Sequence, residues 1–151
     1  SRLRDARPDI ALSSDVMVGF PSETQGDFKD TLDLMEAVRF DVLYSFKYSV
    51  RPGTAAAALE DDITPGEKAE RLMALQTLQK KITMENNRNR VGRSYAVLVD
   101  GTSLRNPDQV HGRTSHNTIV NFPGERSLVG RIAAVRITRA NQNSLTGEIV
   151  P

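Results

Sequence analysis

The chain has no cysteine in its 151 residues. Disulfides, zinc–thiolate sites and iron–sulfur ligation are therefore excluded within it. It also has no apolar run long enough to cross a membrane and no segment with the basic start and apolar stretch of a signal peptide. Only two histidines occur, His111 and His116, and at their spacing they make no metal site without partners. Net charge is nearly absent as well, at +1. That small value conceals an asymmetry. Residues 1–88 carry 12 Lys and Arg against 15 Asp and Glu, whereas residues 89–151 carry eight arginines, no lysine and four acids. An acidic front and an arginine-rich back predict two units with different partners.

The front is organised around residues 14–24, SDVMVGFPSET. Val16, Met17 and Val18 form a short apolar run without polar alternation, as in a parallel strand covered on both faces. Gly19 and Pro21 end the strand, and Thr24 with Asp27 three residues on forms a capping box for the next helix. In parallel α/β folds ligands meet the carboxyl ends of strands, so this loop is either an ordinary strand-to-helix connection or the edge of a site. Before it, residues 1–9 read as the last turns of a helix stopped by Pro8. A helix tail leading into a buried parallel strand calls for earlier strands to pair with it. Too few follow to close or cover a parallel sheet. The chain is thus expected to be the C-terminal part of something longer.

A helix is predicted over residues 25–39, with Phe28, Leu32, Met35 and Val38 inward and Lys29, Asp30, Asp33 and Glu36 in solvent. A second strand is predicted over Val42–Ser49. Its large face, Val42, Tyr44, Phe46 and Tyr48, is expected to pack under helices. Its small polar face, Leu43, Ser45, Lys47 and Ser49, suits a barrel interior holding a polar ligand. The strand ends in Arg51-Pro52-Gly53-Thr54. Arg51 is either a surface arginine or a two-pronged holder of a carboxylate or phosphate. Residues 55–63 connect to a helix that starts at Thr64-Pro65-Gly66-Glu67, with Thr64 as cap and Glu67 reaching back. Ala69, Leu72, Leu75, Leu78 and Ile82 form its stripe, and Gly92 is placed to end it. The basic tail at residues 86–90 is the expected hinge, giving units of 1–90 and 91–151.

From Arg93 the period becomes strand-like. Strands are predicted over Tyr95–Asp100, Val110–Thr114, Thr118–Phe122, Val129–Thr138 and Ser144–Val150, with breaks at Asp100-Gly101, Asn106-Pro107, Pro123-Gly124 and Asn141–Asn143. Five short strands in about sixty residues suggest a small all-β barrel of the oligonucleotide-binding kind. Residues 112–122, GRTSHNTIVNF, are dense in groups that read single-stranded RNA. Arg113 and His116 can reach phosphate or stack, Asn117 and Asn121 can bond base edges, and Phe122 is either a stacking platform or core.

Three blocks in this order, residues 14–24, then 48–54 (YSVRPGT), then Gly112-Arg113-Thr114 with Asn117 and Val120-Asn121-Phe122, resemble the tRNA methylthiotransferases. These are radical S-adenosylmethionine enzymes that add a methylthio group to isopentenyladenosine beside the anticodon. The resemblance covers essentially the whole chain. It implies an α/β front that is the end of a partial (β/α) radical barrel, followed by a TRAM domain, in a cytoplasmic enzyme.

Also implied are two S-adenosylmethionine molecules, one donating methyl to sulfur and one cleaved to a hydrogen-abstracting radical. Two [4Fe–4S] clusters and an electron donor belong to the full-length parent. The tRNA partner would be held by its anticodon stem-loop. Asp15, Gly19, Phe20, Pro21, Glu23 and Arg51 fall on the expected cofactor side, with Arg51 suited to the methionine carboxylate. Arg113, His116, Asn117, Asn121 and Phe122 fall on the RNA side.

The family's CxxxCxxC motif and its three earlier cysteines are absent, so these residues alone are expected to bind tRNA without catalysis. Ser22 stands where the family usually has Gly, and Val50 where it often has Pro. Serine fits there if its backbone angle is not left-handed. Two other readings stay open: a stand-alone RNA-binding module, and an enzyme that modifies a ribosomal protein. The arginine excess and the lack of an acidic segment near Asn117 argue against the second.

Overall fold

The computed structural model describes residues 2–103, 106 and 108–150. Ser1 and Pro107, the latter half of the expected Asn106-Pro107 break, lie outside the described residues. By contacts the chain divides into two units, Ser1–Ile82 and Thr83–Pro151.

In the first unit a short helix α1 (Arg2–Ala6) precedes β1 (Ser13–Val18), α2 (Gln25–Val38) and β2 (Val42–Lys47). A single 3-10 turn at Ala55–Ala58 then leads to α3 (Pro65–Arg88). Strands β1 and β2 pair in parallel from Ser13↔Val42 to Val18↔Lys47. Both long helices begin with the expected caps. Thr24 accepts from the Asp27 N–H at 3.1 Å while the Asp27 carboxylate accepts from the Thr24 N–H at 2.9 Å. Thr64 and Glu67 repeat the exchange at 3.2 and 3.0 Å. Each box satisfies two N–H groups that a helix start leaves open.

The core of this unit is Val18, Phe28, Met35, Leu75 and Ile82, with Val16, Leu32, Leu43, Leu72 and Leu78 packed against it. This reverses the expected faces of β2 from Val42 to Phe46, whereas Tyr48 is buried as expected. Leu43 points to the helices, and Ser45 Oγ accepts from Gln76 of α3 at 3.4 Å. Val42, Tyr44 and Phe46 are instead exposed. β1 is likewise covered on one face only, with Met17 about half exposed. Alternation sorts side chains into two faces but does not say which face meets the helices. Two helices on one side of two strands can cover only that side.

α3 also departs from its expected stripe. Ala69 is exposed, while Lys68 and Arg71 are buried. The inward row is Lys68, Arg71, Leu72, Leu75, Leu78 and Ile82, so two charged residues stand in an otherwise apolar helical row.

The second unit contains β3 (Ser94–Thr102), β4 (Gln109–Thr114), β5 (Ile119–Pro123), β6 (Ile132–Ala140) and β7 (Leu145–Ile149). They close into a barrel in the order β3-β4-β5-β7-β6. The division of the chain at Ile82 falls within α3, ahead of the expected junction at Arg90. Asn87 near the end of that helix is buried, and its amide donates to the Asn141 carbonyl at 2.9 Å. Gly92 has φ +84, and its N–H donates to Ile137, so it enters the barrel four residues after α3 ends. Val97, Val99, Val110, Val120, Phe122, Ala133, Val135, Ile137 and Leu145 fill the interior. These positions alternate along each strand, as a small barrel filled by side chains requires.

Thr24 and Thr64 hold the Asp27 and Glu67 carboxyls below their ordinary values of 3.8 and 4.5, chiefly through the side-chain hydroxyl. A carboxyl lowered by folding adds stability above its ordinary value and loses it as pH falls through the lowered one. Between about pH 5 and pH 2, Asp27→Asn with Glu67→Gln is expected to make the fall in unfolding temperature less steep. Circular-dichroism melts at stepped pH check this, and parallel curves for variant and wild type would remove the caps' acid dependence.

Candidate functional site

Two regions carry the expected site residues, one in each unit. In the first, the loop after β1 is held from below by α3. Glu23 and Arg71 form an ion pair at 2.6 Å with each side chain 10% exposed. The same Glu23 oxygen accepts from the Gly19 N–H at 2.5 Å, and Arg71 also donates to the Glu23 carbonyl at 2.9 Å. Gly19 has φ +69, and a Cβ there would lie 2.4 Å from Lys68 Cγ. Lys68 pairs with Asp61 at 2.5 Å and sits over the Tyr48 ring, whose other neighbour is the Phe20 ring, edge-on at 5.2 Å.

These contacts revise the expected roles. Gly19 is needed where α3 comes close, and Pro21 is buried. The Glu23 carboxylate is committed to Arg71 and the Gly19 N–H. A groove of about 870 Å³ is lined by β1, β2 and the loops that follow them, with Asp15, Met17, Phe20, Phe46, Lys47 and Arg51 in its lining. Asp15, Phe20 and Arg51 are thus brought together, while Gly19, Pro21 and Glu23 hold the loop beneath them.

Ser22 is left-handed, at φ +68, with its N–H donating to Asp62 at 2.8 Å. The condition under which serine would fit unstrained is therefore not met.

In the barrel the expected RNA-facing residues separate. Phe122 is fully buried and offers no face to a base, which settles it as core. His116 is half-buried in the β4–β5 turn with its ring edge-on to Tyr95 at 5.9 Å. Thr114 stitches that turn, its hydroxyl accepting from the His116 and Thr118 N–H groups. Asn117 closes the turn at φ +57, a conformation Asn tolerates better than most residues. Its Oδ1 accepts from Arg113 Nη1 at 3.0 Å.

Asn121 lies opposite His111 in the register, and Arg113 is two residues along the same face of β4. Two groups there were not anticipated. A bulge between Val99 and Gly101 carries Asp100. Its carboxylate reaches His111 Nε2 at 3.2 Å and Arg113 Nε at 3.4 Å. The available signal was strand parity, which puts His111 beside Arg113 on β4 and Asp100 with Leu98 on the outward side of β3. Among the described residues no group of three or more His, Cys, Asp or Glu could hold a metal ion.

Residues 88–150 match the TRAM domain family. Nearly the whole chain is similar to proteins named tRNA-2-methylthio-N(6)-dimethylallyladenosine synthase. Identity is 50% for the one from Pelobacter propionicus, over 99% of this chain and 34% of that protein. It is 52% for Geobacter metallireducens, over 97% and 33%. It is 47% for Francisella tularensis subsp. novicida, over 99% and 34%. The resemblance to the tRNA methylthiotransferases holds. The chain spans about a third of the length of the curated relatives it matches.

A left-handed non-glycine costs about 1–2 kcal/mol, part of which glycine loses again through its freer unfolded chain. Ser22→Gly is expected to raise stability by about 0.5–1 kcal/mol. Urea unfolding checks it; a lower midpoint would show that the hydroxyl stabilises more than the backbone is strained.

Proposed function

We propose that this chain is the RNA-holding and substrate-lining portion of a tRNA methylthiotransferase acting on isopentenyladenosine beside the anticodon. The observation that carries this reading is the match of about 50% identity along 97–99% of the chain to synthases of that name. On this reading the first unit is the end of a partial (β/α) barrel and the second grips the anticodon arm. The TRAM match and an arginine excess on a closed barrel support the second assignment.

The residues of the groove fit S-adenosylmethionine, a zwitterionic nucleoside with apolar faces. Met17, Phe20 and Phe46 supply apolar surface, and Asp15, Lys47 and Arg51 supply both charges. When bound, that group supplies methyl and radical chemistry. Phe20 would cover a ring face, Arg51 would hold a carboxylate by its two-pronged edge and Asp15 would accept from hydroxyl or ammonium donors. Iron–sulfur clusters do not fit, because the chain has no thiolate to offer them, and no step is drawn through them.

Arg113→Ala in the full-length protein is expected to weaken tRNA binding and to reduce the slope of log affinity against log salt by about 0.7–0.9, one phosphate's worth. Asn117→Gly, which keeps the left-handed turn, should weaken binding less. Filter binding at several salt concentrations measures both, and an unchanged affinity and slope for Arg113→Ala would sink the RNA assignment. Separately, Arg51→Ala should weaken S-adenosylmethionine binding about tenfold or more, as loss of a charge-assisted fork predicts. Equilibrium dialysis with wild-type affinity would remove Arg51 from the site.

A further inference from the structure

Asp100 is one of the four acids in the arginine-rich residues 89–151. Alternation along β3 already turns it outward with Leu98, whose partner is Arg113, and the pairing shift between Val99 and Gly101 sets Gly101 instead of Asp100 opposite His111. As the residue left unpaired by the bulge, Asp100 has its carboxylate within reach of two strand-β4 groups at once. One oxygen lies 3.2 Å from His111 Nε2 and the other 3.4 Å from Arg113 Nε. The neighbouring Gly101 makes room for this. A Cβ there would fall 2.7 Å from His111 Cε1, so the imidazole lies over the glycine and beside the carboxylate. Arg113 is further braced by Asn117.

We infer that Asp100 is an internal competitor for RNA phosphate, an affinity-setting residue that occupies Arg113 and His111 until a nucleic-acid backbone displaces it. The inference rests on the RNA reading given above and adds to it. All three side chains are between 39% and 48% exposed, so the pair is weak and exchangeable, as solvated ion pairs are. A phosphate takes the place of the carboxylate on the guanidinium with its planar fork unchanged. The cost falls equally on every RNA. Strands that touch only this face are held poorly, and those that make further contacts elsewhere are retained.

The test compares wild type, Asp100→Asn, Asp100→Glu, Arg113→Ala and the double variant Asp100→Asn/Arg113→Ala. The probes are an anticodon stem-loop RNA and poly(U), at several salt concentrations. Asp100→Asn is expected to bind both probes about fourfold more tightly, the scale of one unit charge a few ångströms away in water. Its salt slope should match wild type, because Arg113 meets the same one phosphate in both. Asp100→Glu keeps the charge and should bind as wild type, and the double variant should lose the gain.

A gain in affinity does not arise from misfolding. Should the asparagine variant fail to fold, Asp100→Ser removes the same charge and carries the same expectation. Unchanged or weaker binding by the folded neutral variant overturns the inference, because the carboxylate would then be orienting Arg113 instead of competing for it. If Arg113→Ala leaves binding untouched, the RNA reading itself fails. If Arg113→Ala weakens binding and Asp100→Asn does not tighten it, only the role of Asp100 fails.

Discussion

The first unit depends on the buried pair between Glu23 and Arg71. Taking two charges out of water is costly, and a pair in that position persists only if its remaining hydrogen-bonding capacity is met. Here it is met on both sides. Glu23 accepts from the Gly19 N–H as well as from the guanidinium, and Arg71 donates in addition to the Glu23 carbonyl while lying over the Phe28 ring. Removing either partner would leave the other buried and unpaired, at about 3–5 kcal/mol. The pair joins the end of β1, the start of α2 and the second turn of α3. The position of Phe20 over Tyr48, and so one wall of the groove, follows from it.

That constraint explains what the sequence made readable and what it did not. The two capping boxes were legible because every atom in them lies within four residues. Thr24 with Asp27 and Thr64 with Glu67 declare themselves without knowledge of the fold. The barrel strands were legible because each alternates and each is closed by turn residues. The faces of β2 were not, since large residues at Val42, Tyr44 and Phe46 look like a core face. Only the direction from which α3 arrives shows that Leu43 is on the covered side. Lys68 and Arg71 were hidden for a related reason. Periodicity counts apolar residues, and a charged side chain in the inward row is invisible until its partner, Asp61 or Glu23, is brought to it from elsewhere in the chain.

The barrel shows the same limit for charge. Counting arginines gave the character of the second unit but not which of them face a ligand. Arg136 is taken up by Glu148 across the β6–β7 pair, with contacts at 3.1 and 2.5 Å. Arg113 is taken up by Asp100 and Asn117. Net charge sets the far field that draws a polyanion in. The pairing of each guanidinium sets what the polyanion must displace on arrival. Phe122 is a parallel case, because an aromatic at the end of a polar strand reads equally well as platform or core until the closure of β4, β5 and β7 encloses it.

The Glu23–Arg71 pair of the first unit and the Asp100–Arg113 pair of the second therefore differ in kind through burial. Glu23 and Arg71 are each 10% exposed, so no solvent or phosphate oxygen can take the carboxylate's place without unpacking α3 from the loop. Asp100 and Arg113 are 39% and 48% exposed, and water already competes for both. The first pair is a fixed part of the scaffold, and mutation of it should be felt as lost stability. The second is a contact held loosely enough to be exchanged, and mutation of it should be felt as altered binding. A carboxylate on a guanidinium carries no functional meaning until its access to solvent is known, and that access is set by how elements distant in sequence pack around the pair.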